Sequence, residues 1–86
     1  MRLLKSRLNV KSSEGMRISI IIDNEVGSVS FIYGDGLLPV FIRLSKLSLE
    51  DHLVRFFPYK DRETVRKMIL DHCHPSLSSV LQGGDI

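Results

Sequence analysis

Three consecutive stretches of the chain alternate apolar and polar residues, and two turn-forming sequences separate them. Arg17–Asp23 sets Ile18, Ile20 and Ile22 on one side and Arg17, Ser19, Ile21 and Asp23 on the other. Residues 27–33 divide into Val29, Phe31 and Tyr33 against Ser28, Ser30 and Ile32. Residues 37–44 divide into Leu38, Val40, Ile42 and Leu44 against Leu37, Pro39, Phe41 and Arg43. A period of two belongs to strands, whose successive side chains point to opposite faces. The density of β-branched residues favours the same assignment. Asp23-Asn24-Glu25-Val26-Gly27 and Gly34-Asp35-Gly36 join the stretches. Asp35-Gly36 is a hairpin signal, because both positions tolerate positive φ. Pro39 has no N–H to donate, which places the third stretch on an edge. The pattern predicts a β-meander.

Ahead of the meander, Leu4, Ser6, Leu8 and Val10 alternate with Lys5, Arg7, Asn9 and Lys11. This predicts a further strand with one cationic face, although Leu4 and Leu8 also fit a helical turn. Lys11-Ser12-Ser13-Glu14-Gly15 reads as a turn or short linker before Met16. Residues 1–15 are therefore either a strand of the domain or a separable basic arm.

After the meander the period changes. Ser48-Leu49-Glu50-Asp51 resembles a capping box and predicts a helix over 49–57, stopped by Pro58. Asp61 is positioned to cap the next helix. There Val65, Met68, Ile69, His72 and Cys73 recur at helical spacing as one stripe toward the core, and Glu63 and Lys67 stand four apart. Pro75 closes that helix, and Ser76 onward adds one more turn. The fold class expected is α+β. A three- to four-stranded antiparallel sheet carries two C-terminal helices on one face, as a single domain over residues 1–86.

Such a fold hides one sheet face, yet Ile21, Ile32, Leu37 and Phe41 all fall on the other. That much apolar surface predicts either burial on both sides or an interface with a partner or a second copy, with Arg43 beside it.

Composition narrows the class. The chain has 86 residues, 43% of them hydrophobic, which suits a small globular domain and is too apolar for disorder. A core of this size supplies only a few kcal/mol, and oligomerisation is a common supplement. The lone Cys73 permits no intrachain disulfide. No apolar run reaches the ~20 residues of a membrane helix. The first residues lack the apolar stretch of a signal peptide, so a cytoplasmic protein is expected. The net charge of +2 is unevenly spread: residues 1–17 are strongly basic, residues 18–54 acidic and the remainder nearly balanced. This asymmetry suits steering of a partner.

Chemistry-bearing clusters are few. His72-Cys73-His74 holds metal-ligand types, but helical neighbours point ~100° apart and the spacing fits no common zinc pattern. Gly34-Asp35-Gly36 lacks the Lys-Ser/Thr and the following helix of a phosphate loop. Glu50-Asp51 lies in a first helical turn, where negative charge complements the dipole. With no triad, acid–base pair or cofactor motif, neither an enzyme nor a cofactor is expected. Nucleic-acid binding is the alternative. Lys5, Arg7 and Lys11 would act from the strand and Arg62 and Arg66 from the helix, with Tyr33, Phe41 and Tyr59 available to stack on bases.

The opening Met16-Arg17-Ile18-Ser19-Ile20-Ile21-Ile22, the meander and the capped helix resemble small phage or prophage regulatory proteins, antirepressors among them, over residues 16–75. The likeness is one of size, composition and layout, and it gives no single residue a role. It implies a protein that binds a transcriptional repressor and releases it from its operator. The expectation is thus a non-enzymatic protein-binding module, homo-oligomeric, with Ile21, Ile32, Leu37, Phe41 and Arg43 at the interface.

Overall fold

The alternating segments pair in sequence order. The computed structural model describes residues 4–36 and 38–81, with side chains through residue 78. Strands β1 (Lys5–Lys11), β2 (Arg17–Asp23), β3 (Ser28–Tyr33) and β4 (Val40–Arg43) form one antiparallel sheet in the order β1-β2-β3-β4. Helices α1 (Lys46–Phe56), α2 (Tyr59–His72) and α3 (Pro75–Leu81) follow. β1 pairs with β2 along its whole length, from Lys5 opposite Asp23 to Lys11 opposite Arg17. Residues 5–11 are therefore a full strand of the sheet.

Side-chain parity decides the layers. Ile18, Ile20, Ile22, Val29 and Phe31 are buried against Leu49 and Leu53 of α1 and Val65 and Ile69 of α2, with Cys73 just beyond. Leu8, Val10, Val40 and Ile42 extend this cluster to the two edge strands. The helices thus occupy one face. α1 stands behind β3, where His52 meets Phe31 and Tyr33. Val65 and Met68 of α2 line a small cleft with Val10 of β1.

The turns are chemically specified. Asp23 closes the β2–β3 turn by accepting the Glu25 and Val26 amides on Oδ1, while the Gly27 amide donates to its carbonyl. Between β1 and β2, Ser12 Oγ accepts from the amides of Glu14 and Met16. Beyond β3 the structure departs from expectation. The positive φ (58°) belongs to Gly34, one residue before the predicted pair, and the Gly36 amide donates to the Tyr33 carbonyl at 3.0 Å. β4 then starts at Val40 rather than 37, because the ladder resumes only after Pro39. Leu38, expected on the core side, is 85% exposed, and Leu37 lies outside the described residues.

Two helix starts also differ. α1 begins at Lys46, and its N-cap is Ser45, whose Oγ accepts the Ser48 amide at 3.1 Å. The cap is one turn earlier than the Ser48 reading. α2 begins at Tyr59 after Pro58 with no side-chain cap. Asp61 is used elsewhere: its carboxylate accepts the amide and hydroxyl of Ser13 at 2.9 and 3.0 Å. The helical stripe is as expected, with Val65, Ile69 and Cys73 buried. Pro75 opens α3, where its missing N–H is no loss. Among the described residues no helix is long and apolar enough to cross a membrane.

Candidate functional site: the uncovered sheet face

With three helices on one side, the other face of the sheet is left uncovered. Register sets its composition row by row. Across the middle run Arg7, Ile21, Ser30 and Phe41. On one side lies the row Lys5, Asp23, Ser28 and Arg43. On the other lie Asn9, Ser19 and Ile32, then Lys11 and Arg17. Phe41 is 59% exposed, and Ile21 and Ile32 are half-buried by their neighbours. The face therefore has small and aliphatic side chains over β2 and β3, one aromatic ring on the β4 edge, and cations around them. Lys5, Arg7, Lys11, Arg17 and Arg43 face it, with Asp23 the one strand acid among them.

The polar groups are partly organised. Ser19 Oγ donates to Asn9 Oδ1 at 3.0 Å, and Arg7 Nη2 reaches Ser19 Oγ at 3.5 Å. Lys5, an exposed cation, approaches the largely buried Asp23 carboxylate at 3.9 Å, a long contact of little energetic weight. Lys11 stands directly opposite Arg17. A cleft of about 380 Å³ opens at that end, lined by Asn9, Lys11, Arg17, Ser19, Gly34 and Asp35.

Of the predicted interface residues, Ile21, Ile32, Phe41 and Arg43 share this face. The predicted nucleic-acid set is divided. Lys5, Arg7 and Lys11 lie here, while Arg62 and Arg66 lie in the helical layer. Neither of these two arginines is a free cation. Arg66 forms a two-pronged pair with Glu50 (2.6 and 2.7 Å) and a third contact to Glu63, so Glu63 meets Arg66 rather than the expected Lys67. The Arg66 hydrogen bond holds the Glu50 carboxyl below the usual carboxylate range, against partial burial. Arg62 donates to the Phe57 and Val54 carbonyls at the end of α1 and lies 5.6 Å from the Tyr59 ring. The proposed stacking trio is divided as well. Phe41 faces the open side, Tyr33 the core side and Tyr59 the helical layer.

A ring cluster escaped sequence reasoning. His52 is buried, stacked 4.1 Å from Phe31 and tilted against Phe56 at 4.5 Å, and its Nε2 shares a hydrogen bond with Tyr33 Oη at 2.5 Å. Burial pushes the His52 pKa down, with Asp51 partly offsetting, and pushes the Tyr33 phenol up. The available signal was the parity of Tyr33 on the core side of β3. His72 and His74 stand apart from this cluster: His72 Nδ1 meets the Met68 carbonyl, and His74 is exposed beside Ser76. Among the described residues no group of three His, Cys, Asp or Glu side chains converges on one point.

Compared with known protein families, curated proteins and solved structures, the chain has no significant match.

Proposed function

We propose that this chain is a non-enzymatic protein-binding module that presents the uncovered sheet face to an acidic partner. One observation carries the reading: register gathers Ile21, Ile32 and Phe41 on a single open face and rings them with Lys5, Arg7, Arg17 and Arg43. An apolar centre inside a polar rim is the anatomy of a protein interface. The rim's sign selects a partner whose own rim is negative.

The same charges disfavour self-association here. A second copy brings the same cations, so the expected homo-oligomer does not form through this face. Size adds a further constraint. Four strands ~4.8 Å apart and about 20 Å long present on the order of 400 Å², half the ~800 Å² per side of a standard interface. The partner therefore extends past β4 onto the exposed Leu38 loop, or the complex is a transient one.

If the partner is a transcriptional repressor, as the resemblance implies, charge also chooses the mechanism. A repressor's DNA-contacting surface is itself cationic. This face is repelled by that surface and engages an acidic one elsewhere, so release from DNA proceeds by trapping a conformation.

Nucleic acid would answer to the same cations, but the central strands offer isoleucine and serine where base stacking requires rings. The test is comparative capture from a lysate of the source organism by the wild type, Phe41→Asp and the helical-layer control Tyr59→Asp. A protein retained by the wild type and the control, lost with Phe41→Asp and unaffected by nuclease supports the proposal. Capture that ignores Phe41→Asp, or that nuclease abolishes, overturns it.

A further inference from the structure

We infer that the cleft between the β1–β2 hairpin and the turn after β3 is an anion site, built for a phosphoryl group. Its basis is a contrast within one strand pair. At one end of β1 and β2 the register sets Lys5 opposite Asp23, where a cation meets a carboxylate. At the other end it sets Lys11 opposite Arg17. Directly opposed residues have Cβ atoms about 5 Å apart, and like charges at that separation destabilise the pair. Among the described residues neither cation has an ion-pair partner within the chain. A doubly charged oxyanion between them converts the repulsion into two charge-assisted contacts.

The surroundings fit that ligand. The cleft of about 380 Å³ is ample for a phosphate and part of what carries it. Asn9 and Ser19 line it beside the two cations. Asn9 Oδ1 already accepts from Ser19 Oγ, which leaves the Asn9 side-chain N–H₂ as its remaining hydrogen-bonding group. Gly34 forms the far wall, where a Cβ would meet nothing within 4 Å, so the backbone leaves the entrance open. Asp35 is the single acid on the lining. Against two cations it leaves the site net positive, and it favours a ligand that touches only the Lys11–Arg17 side.

The site shares Arg17 with the cationic rim of the protein-binding face but uses none of Ile21, Ile32 and Phe41, so the two readings fail separately: Phe41→Asp tests the first and Lys11→Gln the second. The phosphoryl group belongs either to a phosphorylated side chain of a partner or to a nucleotide, and the two sources are separable. The experiment is titration of the full chain with inorganic phosphate, followed by the backbone amide resonances. Saturable shifts confined to Asn9, Lys11, Arg17, Ser19 and Gly34 are expected. Arg17→Gln and Lys11→Gln should each weaken binding about tenfold, as loss of one of two charge-assisted contacts does. Lys5→Gln and Phe41→Asp should leave it unchanged. A phosphoserine peptide and a 5′-phosphorylated dinucleotide then identify the source, by which one binds more tightly than phosphate itself. Shifts that never saturate, or an equal loss from Lys5→Gln and Arg17→Gln, would overturn the site and leave only a diffusely cationic face.

Discussion

Ile20 and Ile21 are adjacent, identical in chemistry and turned to opposite faces of β2, so a paired substitution tests the layer assignment on which the functional reading depends. Ile20 is fully buried among the helices, whereas Ile21 lies between Arg7 and Ser30 on the uncovered side. Removing one methylene from a close-packed site costs about 0.5–1.5 kcal/mol, and Ile→Ala there costs about 2–5 kcal/mol. An 86-residue domain has roughly 4–13 kcal/mol to lose, so Ile20→Ala risks unfolding the chain outright. The conservative pair is the better instrument. Ile20→Val should lower stability by about 1 kcal/mol and Ile21→Val by a few tenths at most. With a urea slope of about 1–1.5 kcal/mol/M, the midpoint falls by about 0.7–1 M for Ile20→Val and hardly moves for Ile21→Val. The assay is urea unfolding followed by circular dichroism, with the slope checked for constancy between variants. Equal shifts for the two variants would mean that Ile21 is packed as tightly as Ile20. The sheet would then be covered on both sides, and no open binding face would exist.

The remaining predictions concern pH, capping and the link between helices. Burial holds the His52 pKa below its ordinary value, so the unfolded chain takes up that proton first as pH falls. Stability should be full above about pH 6.5 and decline as pH drops below it toward the folded value; thermal melts between pH 8 and 5 should show the decline, and His52→Phe should remove most of it. Ser45→Ala should cost about 1 kcal/mol by urea unfolding and Ser48→Ala clearly less, reversing the order that the local sequence suggests. Glu50→Gln weakens the two-pronged contact to Arg66 and should cost about 1 kcal/mol at neutral pH. Because the Glu50 pKa is lowered, that contribution is present above the ordinary carboxylate range and vanishes as pH falls through the folded value, where wild type and variant should converge.

What the sequence made legible is what local periodicity encodes. The strands, their buried and open parities, the stripe of α2 and the order of elements all follow from spacing along the chain. So does the gathering of Ile21, Ile32 and Phe41 on one face. Features that depend on partners distant in sequence were hidden. Asp61 reads as a cap because it starts a helical pattern, but Ser13 reaches it first. Arg66 reads as a surface cation until Glu50, sixteen residues earlier, comes alongside. Arg17 carries no signal of its own in the sequence, because what singles it out is the cation it faces, Lys11. That pairing was nevertheless recoverable, since the Ser12–Gly15 turn fixes the register and counting outward from it sets the two opposite each other.

The contacts made by Ser13 and Asn24 have a consequence for how the sheet meets a partner. Ser13, in the turn that leads from β1 into β2, is bonded to Asp61 in the first turn of α2. At the other end of β2, Asn24 donates to the His72 carbonyl and accepts the His74 amide. The rise from residue 61 to residue 72 is about 16 Å along a helix, close to the ~20 Å length of β2. α2 is thus a splint fastened at both ends of the strand beneath it. A splinted sheet resists the twisting and fraying that an isolated meander would undergo. The open face is then held in one shape, so association there would leave little ordering entropy to be lost.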